Sequence, residues 1–124
     1  MRKLALILSV ILLAACQKQQ LYCSVTLQLE SEEPIVALTI DNSLPGNYFR
    51  NLNTGEQYQY PVFVNGKCEL QVLKGIYVLS FDGVAASAEG KARKVRMTKY
   101  ATTLDAVQLT EDQATITLPL VNLQ

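Results

Sequence analysis

Residues 58–72 read YQYPVFVNGKCELQV. Two runs rich in aromatic and β-branched residues flank Asn65-Gly66, the dipeptide that most favours a tight hairpin turn. The length of the turn decides which side chains face inward, because a one-residue slip exchanges the two faces of a strand. With a two-residue type I′ turn, Phe63 faces Cys68, and Tyr58, Tyr60 and Val62 join Glu69 and Gln71 on the solvent side. Two exposed tyrosines there would form an aromatic face able to stack on sugars. With a three-residue loop, Val64-Asn65-Gly66 closed by a glycine bulge, Tyr58, Tyr60 and Val62 instead join Cys68, Leu70 and Val72 inside. Burying a large apolar side chain is worth about 1.5–3 kcal/mol. Three of them outweigh a turn preference of about 1 kcal/mol, so the three-residue loop with its tyrosines in the core is the expected register. The sugar-stacking face at Tyr58 and Tyr60 is the alternative.

The same grammar extends in both directions. Ser24–Glu30 alternates, with Val25, Leu27 and Leu29 on one side. Ile35–Ile40 follows, then the loop Asp41–Gly46, Tyr48–Leu52, the turn Asn53-Thr54-Gly55, and Gln57–Val64. Lys67–Leu73 and Ile76–Asp82 are separated by Lys74-Gly75. A small-residue loop, Gly83–Gly90, precedes a strand near Arg93–Tyr100, and Ala106–Thr110 with Ala114–Val121 reads as a closing hairpin turning at Glu111-Asp112. No window has a helical period, and no repeat, linker or low-complexity tract interrupts the pattern. The expectation is an all-β fold: a single antiparallel β-sandwich of about seven to nine strands over residues 24–124.

The N-terminus is of another kind. Met1-Arg2-Lys3 is basic, and Leu4–Ala15 has Ser9 as its one polar residue. Twelve apolar positions suit the core of an export signal (about 7–15 residues) and fall short of a membrane-spanning helix (about 20). Leu13-Ala14-Ala15-Cys16 then resembles the lipobox of bacterial lipoproteins. The resemblance implies a signal peptide over 1–15, cut before Cys16, with the Cys16 thiol and freed amine carrying fatty acyl chains. Residues 16–23 would be the lipidated tether, and the lipid membrane a partner through Cys16. Gln17 is not the aspartate that marks inner-membrane retention in enteric-type lipoproteins, and no acidic cluster of the Bacteroidetes surface-export kind follows. By that analogy the chain belongs at the outer membrane, facing the periplasm.

Removing fifteen residues leaves 109 of the 124, enough for one domain. Arg2 and Lys3 leave with the signal, so nine Lys and Arg face eleven Asp and Glu. That balance gives no reason to expect nucleic acid. Cys23 and Cys68 would meet an oxidising compartment, where a bridge closing a long loop could contribute on the order of 3–4 kcal/mol. Two separate buried thiols are the other reading.

The stretch Asn53-Thr-Gly … Asn65-Gly-Lys-Cys-Glu-Leu-Gln-Val-Leu-Lys-Gly75-Ile-Tyr77-Val-Leu-Ser resembles carboxypeptidase-regulatory-like (prealbumin-like) domains, which are β-sandwiches. In them the glycines turn hairpins and Gly-x-Tyr opens a core strand. Asn65-Gly66, Leu70, Gly75 and Tyr77 occupy the matching places. The longer Ile35–Phe49 passage departs from that family's short strand. Similar modules in Bacteroidetes lipoproteins accompany outer-membrane transport systems, so the resemblance implies a non-catalytic accessory with an outer-membrane protein partner.

The chain has no histidine, which excludes His-based triads and His-dependent metal sites. Neither Glu30-Ser31-Glu32-Glu33 nor Glu111-Asp112 has the spaced pattern of a calcium loop, and both read as solvated turn charges. No metal, cofactor or catalytic residue is expected. Lys91, Arg93, Lys94, Arg96 and Lys99 put five cations in nine residues. They form a candidate basic patch for phosphates or another polyanion, or else charge that protects an edge strand. The functional expectation is a membrane-anchored, non-catalytic binding or assembly accessory of the cell envelope. The alternatives are a periplasmic inhibitor of a protease- or lysozyme-type hydrolase, working through the Asp41–Gly46 or Gly83–Gly90 loop, and a carbohydrate-binding module.

Overall fold

The computed structural model describes residues 21–123. They form an all-β fold of ten strands: β1 (Tyr22–Glu30), β2 (Ala37–Ile40), β3 (Tyr48–Asn51), β4 (Phe63–Val64), β5 (Lys67–Leu73), β6 (Gly75–Ser80), β7 (Asp82–Ala86), β8 (Ala92–Met97), β9 (Val107–Leu109) and β10 (Gln113–Asn122). Seven of these close into a barrel in the order β1-β10-β8-β7-β2-β4-β5, where the sandwich expectation has two open sheets. The other three, β3-β6-β9, make a separate sheet.

The Asn65-Gly66 hairpin has the two-residue turn. Val64 pairs with Lys67, and Asn65 and Gly66 both hold positive φ, 54° and 78°, as a type I′ turn requires. The expected three-residue loop is therefore absent, and Phe63 is buried while Val62 is exposed. The tyrosines nonetheless go inside: Tyr60 is buried and Tyr58 packs half-buried against the core. Both sequence readings assumed one continuous strand from Gln57 to Val64. Only Phe63 and Val64 are in the ladder, because Pro61 has no N–H to give it. Upstream of Pro61 the alternation is no longer tied to the turn. Phe49, Tyr58, Tyr60, Tyr77, Phe81 and Phe63 form a chain of ring contacts, centroids 5.0–6.3 Å apart. This chain fuses the barrel interior and the three-stranded sheet into one core.

Two further expectations are corrected. Gly83–Ala86 is strand, paired to both β2 and β8, so the loop there shrinks to the turn after Ala86. The closing hairpin does not form. β9 pairs with β6, while β10 pairs in parallel with β1 from Ser24↔Gln113 to Glu30↔Pro119. The first and last strands of the described chain thus lie side by side, a pairing that no turn could announce.

Candidate functional site

Cys16 and most of the expected tether lie outside the described residues. The chain enters the fold at Leu21, whose carbonyl accepts from Lys74 N at 3.0 Å. It runs at once into β1, flanked by β5 on one side and β10 on the other. Strand alternation sends Cys23, Val25 and Leu27 inward and Ser24, Thr26 and Gln28 outward. Register then builds an outer face of polar rows: Gln71–Ser24–Gln113, Glu69–Thr26–Thr115 and Lys67–Gln28–Thr117. A groove of about 720 Å³ crosses this face between Glu69 and Thr115. Its hydroxyls, amides and single carboxylate can exchange hydrogen bonds with a ligand, but among them there is no activated nucleophile.

Cys23 and Cys68 are free, buried thiols. Cys23 stands opposite Val72 and Cys68 opposite Leu27, four residue steps apart along one ladder. At about 3.4 Å per residue their Cα atoms are roughly 14 Å apart, twice the roughly 7 Å limit for a bridge. Of the two readings left open by the sequence, a bridge or two separate buried thiols, the fold has the separate thiols. Burial pushes Cys68 up to about 12, with the neighbouring Glu69 carboxylate adding to the shift. Burial raises Cys23 also, offset in part by Lys74.

β8 carries three of the five cations, Arg93, Lys94 and Arg96, with Lys91 before it and Lys99 after it, and its alternation separates them. β8 lies between β7 and β10, so it is no edge. Arg93 points to the barrel side, with its side chain 17% exposed. It donates to Asn122 Oδ1 (3.0 Å), Ser31 Oγ (3.1 Å), Glu33 O (3.2 Å) and Glu33 Oε2 (3.3 Å). Arg96 points outward and grips Asp82 through two hydrogen bonds of 2.8 and 2.9 Å. That contact holds the Asp82 carboxyl below its ordinary range. Lys99 sits 5.0 Å from the Tyr100 ring centre. Lys91 and Lys94 make no ion pair among the described residues. Lys94 borders a shallow groove with Thr39, Leu44, Val84 and Leu123. Two fastening arginines and scattered lysines do not make a single cationic surface.

Tyr58 and Tyr60 offer no flat aromatic face. The Tyr60 hydroxyl donates to Tyr48 O, and that of Tyr58 accepts from Leu73 N at 3.0 Å. Desolvation raises the Tyr60 phenol far above its usual range. Among the described residues, no three Cys, Asp or Glu side chains come together to hold a metal.

Two features escape reading by side-chain type. Asn51 is fully buried, and its side chain organises the turn that follows: Oδ1 accepts from Asn53 N (2.7 Å) and Thr54 N (3.1 Å), and Nδ2 donates to Tyr77 Oη (3.0 Å). Its signal was the spacing Asn51-Leu-Asn-Thr-Gly55, an Asn placed to bond backbone two and three residues on. The second feature is the far side of β10. β8 pairs only with Leu120, Val121 and Asn122, which leaves Gln113–Leu118 bonded to β1 alone. Its signal was Gln113–Leu123, eleven residues without a charge. No protein-family model, curated protein or solved structure matches the chain.

Proposed function

We propose that the protein is a lipid-anchored, non-catalytic binding or assembly accessory of the cell envelope, held at the outer membrane on its periplasmic side. The observation that carries this reading is the short join between lipobox and fold. Tyr22 opens β1 six residues after Cys16. At about 3.3–3.6 Å per residue the join spans at most about 20 Å. An acylated Cys16 would therefore keep the polar β5–β1–β10 face close to the bilayer, where envelope partners are. The likeness of Asn53–Ser80 to carboxypeptidase-regulatory-like β-sandwich domains points the same way.

The anchor is tested by metabolic labelling with a fatty acid. Wild type should carry the label and sediment with membranes, and Cys16→Ser should do neither. An unlabelled wild type refutes the anchor. The accessory role is tested by pull-down from detergent-solubilised envelope. One dominant integral membrane protein supports it, and a hydrolase in its place moves the reading to the inhibitor.

That inhibitor reading has one observation in its favour. The Asp41–Asn47 loop is stiffened from within: Asp41 accepts from Ser43 Oγ (2.6 Å), and Asn47 Nδ2 donates to Asp41 O (2.9 Å). Asn42 ties it to Tyr60 through two bonds, and Leu44 is half exposed at its tip. A rigid loop with an apolar tip suits insertion into an active site. Loss of hydrolase activity on adding the protein, restored by Leu44→Asp, would establish it.

A further inference from the structure

The unpaired side of β10 is a set of backbone groups with a definite direction. Ser24 N donates to Asp112 O, so in this parallel ladder Asp112, Ala114, Ile116 and Leu118 turn their peptide groups toward β1. Gln113, Thr115, Thr117 and Pro119 turn theirs the other way. The carbonyl of Pro119 is taken by Thr98 N at 3.1 Å, where the chain leaves β8. The N–H and C=O groups of Gln113, Thr115 and Thr117 receive no protein partner on that side among the described residues, and all three residues are exposed. Pro119 fits this arrangement, since its missing N–H falls on the side where none is needed.

Edge strands are commonly blocked by charge, proline or a bulge. Gln113–Leu118 has none of these: its register with β1 is unbroken, and it contains no charged residue. What such an edge accepts is another extended backbone. The geometry points to a second copy of this chain as that backbone, the two β10 strands pairing antiparallel about Thr115. Gln113 then faces the partner's Thr117, Thr115 faces the partner's Thr115, and Thr117 faces the partner's Gln113. Each is a hydrogen-bonded pair, because all three residues already aim their peptide groups at the edge. The three residues supply three donors and three acceptors per copy, and their side chains meet as Thr–Thr and Gln–Thr pairs without like charges.

The pairing is self-complementary, as a twofold interface must be. Beyond the paired run, Glu111 of each copy approaches the point where Thr98 and Lys99 of the other follow β8, acid against base, while Asp112 keeps its own Lys74 at 2.6 Å. The twofold axis of an antiparallel pair stands perpendicular to the sheet, so both polar faces look the same way. With that axis along the membrane normal, two acylated Cys16 residues reach one leaflet. The pairing itself does not depend on the anchor.

The test uses the full-length chain in its membrane. In a hydrogen-bonded antiparallel pair the Cα atoms are about 5.5 Å apart, inside the range a disulfide spans (about 4.4–6.8 Å). Thr115→Cys should give a dimer on a non-reducing gel. Thr26→Cys, equally outward but one strand in, should show no disulfide-linked dimer on that gel, and neither should wild type, whose Cys23 and Cys68 are buried. Thr115→Pro removes an N–H that nothing in the monomer uses. It should unfold as cooperatively as wild type diluted to monomer, yet lose the dimer seen by light scattering in detergent. A Cys16→Ser background should retain the Thr115→Cys dimer, so failure of the anchor and failure of the pairing read out separately. The inference is overturned by a monomeric wild type at the highest soluble concentration, by equal cross-linking of Thr115→Cys and Thr26→Cys, or by a Thr115→Cys adduct with a different polypeptide.

Discussion

Replacing Asn51 with alanine should destabilise the protein more than any change to the surface cations. The side chain is fully buried and makes three hydrogen bonds. Its amide donates to the Tyr77 hydroxyl, which donates in turn to Leu73 O at 2.6 Å. Asn53 and Thr54 are exposed residues, so their freed N–H groups can turn to water. Each of those two bonds is worth only about 0.5 kcal/mol, toward the low end for a hydrogen bond. The Tyr77 hydroxyl is buried with its ring, and its lost donor together with the small void left behind costs about 1.5 kcal/mol. The sum is about 2.5 kcal/mol, or a fall in Tm of about 10–20 °C for a domain of this size. Denaturant unfolding of Asn51→Ala, Tyr77→Phe and the double variant gives the cycle. A coupling of about 1 kcal/mol is expected, because Tyr77→Phe already removes one of the bonds that Asn51→Ala breaks. Gly75 supplies an internal check. A Cβ there would come within 2.8 Å of Asn51 Nδ2, so Gly75→Ala should cost less in the Asn51→Ala background than in wild type. Loss of under about 0.5 kcal/mol, the size of an ordinary surface change, or strict additivity of the pair would refute the assigned role.

Other expectations follow from the same geometry. Cys23 and Cys68 should resist maleimide in the native state at pH 8 and react on unfolding, and reductant should leave Tm unchanged; a Tm that falls with reductant would mean a bridge. Gly66→Ala at φ +78° should destabilise by about 1 kcal/mol, whereas Asn65→Gly, also at positive φ, should be nearly neutral; equal losses would argue against the type I′ turn. Asp82 has a folded pKa below its unfolded value. Its ion pair therefore contributes above the unfolded value near pH 4 and is lost as pH falls through the folded one. Asp82→Asn should flatten the acid limb of the stability curve, and an unchanged limb would show that the Arg96 contact contributes nothing.

The cysteines illustrate how far side-chain type can go. That Cys23 and Cys68 are buried was within reach of the alternation in β1 and β5. That they cannot meet depended on register, which places four residue steps between them. The basic run was equally legible as composition. Only the fold shows that Arg93 turns in toward Glu33 and Arg96 out toward Asp82, because β8 is enclosed by two neighbours rather than left at an edge.

What the sequence determined by itself is local: that the chain is a succession of β-strands, that turns fall at Asn53-Thr54-Gly55 and Asn65-Gly66, and the likeness of residues 13–16 to a lipobox. These rest on interactions between near neighbours, and near neighbours are what periodicity and turn chemistry record. Tertiary structure alone decided which strands pair. It freed Tyr58 and Tyr60 from the hairpin's alternation at Pro61, sent β9 and β10 to different sheets, and laid β10 parallel to β1. It also left the Gln113–Thr117 edge open. The reason is physical: every residue but proline offers the ladder the same N–H and C=O, so side chains mark a strand without naming its partner. That choice is made by burial of the whole core at once.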